Sequence, residues 1–192
     1  MSIKNQKLLY HLTSLDNFES ILNNGLLARN NIGDFDDVAE LDIINFRKEK
    51  NLTRYVPFHF FAKNPFDGRV QKNFPDKEFI YICVKRDFAK NNNFLIIPKH
   101  PRAMKSLILY EYLEGYQMIE WDIMDKRDYA DDNCRHICMA ECLSPKTISH
   151  SDFSHIFVRS QDTQDFINEI CSYILGDLPN FYVNVNPNMF ID

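Results

Sequence analysis

Two stretches of the chain place polar side chains among apolar ones. The stretch "YHLT" puts His11 and Thr13 at the end of an apolar strand, and Glu141 lies between apolar residues in "CMAECL". A carboxylate is costly to bury without a partner, so Glu141 indicates a residue that lines a cleft. On these residues alone, a surface glutamate on a strand is an equal alternative. His11 by itself is more typical of a half-buried strand histidine with its hydrogen bonds satisfied.

A second candidate for chemistry is the cysteine repeat Cys134, Cys138 and Cys142, with His136 inside it. On a helix this spacing stacks the three thiols along one face. Tetrahedral zinc ligands, however, come as closely spaced pairs with a second pair elsewhere. We therefore interpret these cysteines as small buried hydrophobes and predict no metal site. All five cysteines of the chain are expected to be reduced thiols.

Basic residues cluster in "FAKNPFDGRVQK" and in "IIPKHPRAMK". On charge alone, both clusters are typical of ordinary solvated loops. The formal net charge of −5 and the pI near 5.7 argue against a broad surface that coats nucleic acid, but they allow a local groove. The chain has no GxGxxG, GxxxxGK, HExxH, GxSxG or CxxC motif, so an enzyme of this sequence would have a dispersed motif.

The elements that must position these residues form one domain. With 192 residues and 45% hydrophobic content, the chain can bury one substantial core, and we predict a single domain over residues 1–192. No segment reaches the roughly 18–20 apolar residues that cross a bilayer, and the first residues resemble no export signal. We expect a cytoplasmic protein that does not enter a membrane.

Apolar patterning predicts an α+β fold. It places strands at residues 7–12, 54–61, 78–86, 137–144, 155–160 and 181–187. Helices are predicted at 14–25, 40–50 and 162–175, and a helix or turn at 101–113. The strand at 78–86 is apolar enough to be central. Short strands with few crossover helices predict two packed sheets or a split sheet, with helices against it.

The stretches "YHLTSLDNFESILNNGLL", an arginine-bearing helix, "YVPFHFFAKNPF" and "ICMAECLSP" together resemble, in this order, the DarT family of DNA ADP-ribosyltransferase toxins. The resemblance runs from about Tyr10 to the terminal strand. It implies the fold of the diphtheria-toxin-like and PARP-like ADP-ribosyltransferases, a split β-sheet core with flanking helices. It also implies NAD⁺ as co-substrate, without a metal.

The resemblance implies roles for several residues. His11, Thr13 and Asn17 would bind NAD⁺, and Glu141 would be the catalytic carboxylate that accepts a hydrogen bond from the ribose 2′-hydroxyl. The family also has an arginine on the helix before the Val-Pro-Phe strand. Arg47 is our choice for this residue, as diphosphate ligand and as a group that helps the acceptor base lose its proton, and Arg54 is the alternative.

In the family, the Val-Pro-Phe strand and the residues after it form a strip that faces the DNA, and this chain departs from the family pattern there. Thymidine-modifying members have Val-Pro-Phe-Tyr-Phe followed by Pro-Arg-Ser-Pro, whereas this chain has His59 in "PFHFF" and then "AKNPFDG". We therefore favour guanine over thymine as the modified base. His59 and Lys63 of this strip are predicted to contact DNA. In the segment before Glu141, Tyr129 could stack on a base, and Arg135 or His136 could contact its edge or a phosphate. The equal alternative is a polar surface turn with Tyr129 anchored in the core.

Three functions follow from these expectations. The leading one is a monomeric toxin that ADP-ribosylates a base in single-stranded DNA, restrained by a cognate antitoxin, a macrodomain or NADAR-type hydrolase, that reverses the modification. The second is the same NAD⁺ chemistry with RNA, a protein side chain or water as acceptor. The third is a nucleotide-binding domain with weak or no catalysis.

Overall fold

The computed structural model describes residues 1–33 and 35–191 of the chain. Within these ranges it contains eight β-strands and eight α-helices. The strands are β1 (Leu8–Ser14), β2 (Val56–His59), β3 (Phe79–Lys85), β4 (Leu95–Ile97), β5 (Tyr110–Glu111), β6 (Glu141–Ser144), β7 (His155–Val158) and β8 (Tyr182–Val185). The helices are α1 (Phe18–Asn24), α2 (Leu41–Glu49), α3 (Pro65–Asn73), α4 (Arg86–Asn91), α5 (Tyr112–Met118), α6 (Trp121–Met124), α7 (Asp132–Ile137) and α8 (Gln161–Leu175). None of the described helices is long and apolar enough to cross a bilayer.

The strands form one sheet that is split in the middle. Their order is β5-β4-β6-β2-β1-β3-β7-β8, and the neighbours are antiparallel except for β7 and β8. β1 pairs with β3 along its whole length, from Leu8 opposite Lys85 to Ser14 opposite Phe79. It pairs with β2 at Tyr10 opposite His59, after which the two strands diverge. The predicted α+β fold with a split sheet and flanking helices is confirmed.

β3 is the central strand that the sequence predicted. Its side chains alternate between two hydrophobic cores, one on each face of the sheet. The first core receives Ile80, Ile82 and Val84, and the second receives Phe79, Tyr81 and Cys83. Phe18 of α1 and Ile167 of α8 belong to the first core, whereas Val70 of α3 belongs to the second. Both faces of β3 are therefore covered by helices.

α8 begins and ends where the sequence places it, whereas α1 ends as predicted but begins only at Phe18, after a 3₁₀ turn at Leu15–Asn17. Ser160 caps α8 by accepting a hydrogen bond from the Thr163 N–H at 3.2 Å. α1 ends at Gly25, whose φ is 79°. A Cβ atom at this position would lie 2.8 Å from the Ile148 carbonyl oxygen, so both the backbone conformation and the close approach require glycine.

Two predicted segments differ from the structure. The strand predicted at 137–144 covers Glu141–Ser144, because Asp131 starts a helix upstream: its carboxylate accepts a hydrogen bond from the Cys134 N–H at 2.6 Å. The segment 101–113 is a 3₁₀ turn at Pro101–Ala103 followed by β5, and α5 begins at Tyr112. The predicted free, buried cysteines are confirmed, since all five thiols are unpaired and buried.

Arg86 holds the two halves of the sheet together at the junction of β1 and β2. Its side chain is buried and donates from Nε to the Leu8 carbonyl at 3.1 Å, and from Nη2 to the Phe60 carbonyl at 2.8 Å. Leu8 begins β1 and Phe60 follows β2, so one guanidinium bridges both sides of the split. Its planar fork of donors suits this task better than an ammonium would.

Candidate active site

The cleft lies where β1 and β2 diverge. Its walls include His11 and Thr13 from β1, His59 from β2 and Glu141 from β6. Arg47 reaches in from α2, which also contributes Ile43 and Phe46 to the lining of the cleft. The structure therefore brings these five predicted residues to one site, although Arg47 and Glu141 are 94 positions apart in the sequence.

Glu141 and Arg47 form an ion pair inside the cleft. Nη1 of Arg47 lies 2.8 Å from one carboxylate oxygen of Glu141 and 2.9 Å from the other. The side chains are 14% and 7% exposed for Arg47 and Glu141 respectively. The ion pair offsets the desolvation of a carboxylate on a central strand, and the alternative of a surface strand glutamate is excluded. Nη2 of Arg47 is buried and makes no hydrogen bond within the described residues, so it is a donor available to a ligand.

His11 bridges the split with one ring nitrogen and keeps the other for a ligand. Its Nδ1 lies 2.8 Å from the Pro57 carbonyl oxygen. A carbonyl accepts hydrogen bonds, so Nδ1 carries the proton and Nε2 is the acceptor of the ring. Burial lowers the pKa of His11 to about 4, against the opposing effect of the Pro57 hydrogen bond. His11 is therefore neutral at pH 7. Because Pro57 has no N–H, the split leaves no unpaired donor at this position.

Asn17 acts on the cleft wall through its neighbours. Its Nδ2 donates to the Thr13 Oγ1 at 3.2 Å and to the Asp36 carbonyl at 3.0 Å, and its Oδ1 accepts from the Asp36 N–H at 2.8 Å. The amide therefore fixes the Thr13 hydroxyl and the segment around Asp36. Since Thr13 Oγ1 accepts from Asn17, its own proton can be donated to a ligand.

His59 faces Glu141 across the β2–β6 ladder, where the two residues are direct partners. Its Nδ1 lies 3.0 Å from the Ala140 carbonyl oxygen and therefore donates to it when the ring is neutral, which leaves Nε2 as an acceptor. The ring also packs against Phe66, with 5.5 Å between the ring centroids. His59 is thus held rigidly beside the carboxylate.

The other predicted DNA contacts lie together outside the cleft lining. Lys63 adopts a left-handed backbone conformation with φ of 61°, and its N–H donates to the Tyr81 hydroxyl at 2.9 Å. Tyr129 donates from its hydroxyl to the Lys63 carbonyl at 3.4 Å. Arg135 donates to the Tyr129 carbonyl at 3.3 Å and pairs with Asp132 at 2.5 Å. These three predicted residues form a continuous surface beside the cleft.

His100 lines the cleft, although its loop is typical of a solvated loop on charge alone. Burial lowers its pKa to about 4; Glu141 opposes this shift, while His136 and His59 add to it. Its ring stacks on His136 with 6.1 Å between centroids. The stretch "KHPR" is visible in the sequence as a basic cluster, but no periodic pattern relates His100 to Glu141. Arg54, the alternative to Arg47, is exposed and lies over the Tyr55 ring at 5.3 Å, away from Glu141.

The described residues contain no group of three histidine, cysteine, aspartate or glutamate side chains that could hold a metal ion. The polar groups of the cleft are instead carboxylates, guanidinium groups, imidazoles and hydroxyls, among them Glu141, Arg47 and Thr13. This set suits a polar organic ligand with hydroxyl and anionic groups.

The fold is similar to those of solved ADP-ribosyltransferases. Thermus sp. 2.9 DarT in complex with ADP-ribosylated ssDNA superposes with a TM-score of 0.82 at 20% identity, over 96% of each chain. The same protein in complex with NAD⁺ gives 0.78 at 18% identity, over 97% of this chain and 98% of that one. Thermosipho africanus DarTG in complex with ADP-ribose gives 0.72 at 22% identity, over 96% of this chain and 51% of that one. No curated protein sequence matches the chain.

The fold and the cleft define an ADP-ribosyltransferase. A family model described as "ssDNA thymidine ADP-ribosyltransferase, DarT" matches residues 10–191. The chain therefore belongs to the DarT family. The predicted family and the predicted enzyme class are both confirmed.

Proposed function

We propose that this protein transfers ADP-ribose from NAD⁺ to a base of single-stranded DNA and releases nicotinamide. The observation that carries the proposal is the buried Glu141 at the split of the sheet, paired with an arginine that keeps one donor unused. Family membership and the likeness to DarT structures in complex with NAD⁺ and with ADP-ribosylated ssDNA support it.

The residues of the cleft fit NAD⁺. Nη2 of Arg47 is a buried donor without a partner among the described residues, and it suits a diphosphate oxygen. Nε2 of His11 can accept from a ribose hydroxyl or from the nicotinamide amide, and the Thr13 hydroxyl can donate nearby.

Glu141 acts where positive charge develops. The bond between nicotinamide and ribose breaks with its electron pair leaving on nicotinamide, so the ribose ring becomes cationic. Each oxygen of Glu141 has a lone pair beyond the one used by Arg47 and can accept from the 2′-hydroxyl. That hydrogen bond strengthens as the charge builds, which stabilises the transition state more than the ground state. A base nitrogen gives its proton to water, Arg47 stabilises the resulting anionic form of the base, and the nitrogen lone pair then bonds to the cationic ribose carbon.

For the acceptor we propose guanine, with thymine as the alternative. The family description names thymidine, but His59 replaces the tyrosine of the thymidine-modifying members and lies opposite Glu141. The Nε2 of a neutral His59 accepts hydrogen bonds, and guanine presents two kinds of N–H donor on its Watson–Crick edge where thymine presents one. The proposed partner is an antitoxin of the macrodomain or NADAR type that removes the modification. The chain matches about half of a DarTG chain, in line with such a partnership.

The test is labelled NAD⁺ with single-stranded oligonucleotides that each lack one base, beside a control without DNA. We expect label on every oligonucleotide that contains guanine. Label that follows thymine would overturn the choice of base. Nicotinamide release without label on any oligonucleotide would overturn DNA as the acceptor and favour RNA, protein or water.

A further inference from the structure

A basic and aromatic surface forms one side of the mouth of the cleft. It consists of α2, the turn that follows it and the segment 98–105. Phe46, Tyr55 and Arg102 of this surface also line the cleft itself, next to Arg47. We call it the basic rim and define it as Phe46, Arg54, Tyr55, Lys99, Arg102 and Lys105.

Each of the two aromatic rings of the basic rim packs against a hydrophobic core on one side and lies under an arginine side chain on the other. Phe46 and Tyr55 pack against a small core of Leu52, Ile97 and Leu143. The guanidinium of Arg102 lies 5.8 Å from the centroid of the Phe46 ring, and that of Arg54 lies 5.3 Å from the Tyr55 ring. Single-stranded nucleic acid binds such groups, since a base can stack on the guanidinium plane that lies over each ring and phosphates meet the cations.

The charges of the basic rim favour a polyanion. Within the described part of the chain, Arg54, Lys99 and Lys105 have no ion-pair partner, and Arg102 has the exposed Asp42. Segment 98–105 contains three basic residues and no acidic one. By contrast, segment 121–136, which carries Tyr129 and Arg135, has five aspartates against three basic residues. A phosphate backbone is therefore attracted to the basic rim and repelled by much of segment 121–136.

From the position, the rings and the charges, we infer that the basic rim binds the DNA strand next to the nucleotide that enters the cleft. This inference rests on the proposed function, because it takes single-stranded DNA as the substrate. Two residues of the basic rim connect it to the reaction site, because Tyr55 and Arg102 line the same cleft as Arg47 and Glu141. A few phosphates neutralised there suffice for a protein whose net charge is −5.

The experiment compares three triple variants of the full chain by the salt dependence of oligonucleotide binding. The first removes charge from the basic rim: Arg54→Gln, Lys99→Gln and Lys105→Gln. The second removes charge from Lys63 and from segment 121–136, which carries the other predicted contacts: Lys63→Gln, Lys126→Gln and Arg135→Gln. The control carries Lys85→Gln, Lys90→Gln and Lys146→Gln, three exposed residues outside the cleft lining. All three lower the net charge equally.

We expect the first variant to reduce the slope of log Kobs against log salt concentration by about 2, at about 0.7 per lost phosphate contact, while the control keeps the wild-type slope. NAD⁺ affinity, measured by calorimetry, should not change with it. A reduced slope in the second variant with an unchanged first one would overturn the inference, as would equal losses of NAD⁺ and DNA affinity in the first. If the wild type modifies no oligonucleotide at all, the proposed function fails instead, and the two failures are distinct.

Discussion

Removal of Arg47 should destabilise the fold more than removal of its partner Glu141. Breaking a buried ion pair from one side costs about 3–5 kcal/mol, because the remaining charge has no partner. The two charges differ in how they can reach water. Glu141 lies in β6 between β2 and β4 and is fixed by both ladders. Arg47 lies on α2, a fully described helix without any fully buried residue, so its side chain can swing out.

We therefore expect Arg47→Ala to lower the free energy of unfolding by about 3–5 kcal/mol. Glu141→Ala should lower it by about 1–3 kcal/mol, the range for a hydrogen-bonding group that loses its partner, because Arg47 can turn towards water and avoid the larger cost of an isolated buried charge. The double variant should lose about 1–3 kcal/mol less than the sum of the single losses, since neither charge is then left alone. For catalysis the better variant is Glu141→Gln, which keeps the volume and one acceptor oxygen. It should remain folded and lose transfer by about 10²–10³-fold.

Urea unfolding at pH 7 measures these differences, with the fluorescence of Trp121, the sole tryptophan of the sequence and a buried residue, as the signal. Transfer to labelled oligonucleotide is measured on the same preparations. Single losses that add within about 0.5 kcal/mol would contradict the energetic coupling of the pair. A larger loss for Glu141→Ala than for Arg47→Ala would contradict the argument about access to water, and near wild-type transfer by Glu141→Gln would remove Glu141 from the mechanism.

Four further predictions concern the His11 side chain, the pH dependence set by His11 and His100, Arg47 and Arg86. His11→Asn retains a donor for the Pro57 carbonyl but loses the Nε2 acceptor, so it should raise the KM for NAD⁺ with little change in Tm. His11→Ala loses both groups and should lower Tm as well. Equal Tm values for the two variants would contradict a stabilising hydrogen bond between His11 and Pro57. Because burial holds the pKa of His11 and His100 near 4, below the ordinary 6.5, the unfolded chain binds more protons between these values. Stability should be full above pH 6.5 and fall towards pH 4, and urea titrations should show a flatter dependence for His11→Asn. Arg47→Lys should keep part of the NAD⁺ affinity by calorimetry but lose most transfer, since an ammonium lacks the planar fork of donors; parallel losses would indicate a diphosphate ligand and no role at the base. Arg86→Met leaves buried carbonyls without donors and should cost about 3 kcal/mol or more by urea unfolding, and a loss below about 1 kcal/mol would show that the junction does not depend on it.

The sequence predicted best the elements whose pattern was long. The continuous apolar run at 78–86 identified the central strand, and the amphipathic stripe at 162–175 identified α8. Short elements were missed, because one turn of helix carries too little periodicity. α3 is an example of a helix whose start is marked in the sequence. Asn64 caps it and Pro65 is its first residue, and the Asp67 carboxylate accepts a hydrogen bond from the Asn64 side-chain amide at 2.7 Å. This cap was readable from the sequence but lay in a segment interpreted as a loop.

The site could be predicted where the family resemblance named a residue, and no further. Composition left His11 and Glu141 with ordinary alternatives, and no local pattern relates Arg47 to a carboxylate 94 positions away. The resemblance supplied that relation. His100 has no motif of its own, and it became visible as a cleft residue when the fold placed its loop beside β6.

The junction between the two halves of the sheet has a mechanical consequence. β1 and β2 meet at one ladder position, and two side chains, His11 and Arg86, add bridges across it. A rotation of one half against the other would bend these bridges and would also shear the first hydrophobic core, which contains Leu9 and Ile80 from one half and Phe58 and Cys142 from the other. The width of the cleft is therefore set by packing that both halves share, as well as by the bridges at the junction.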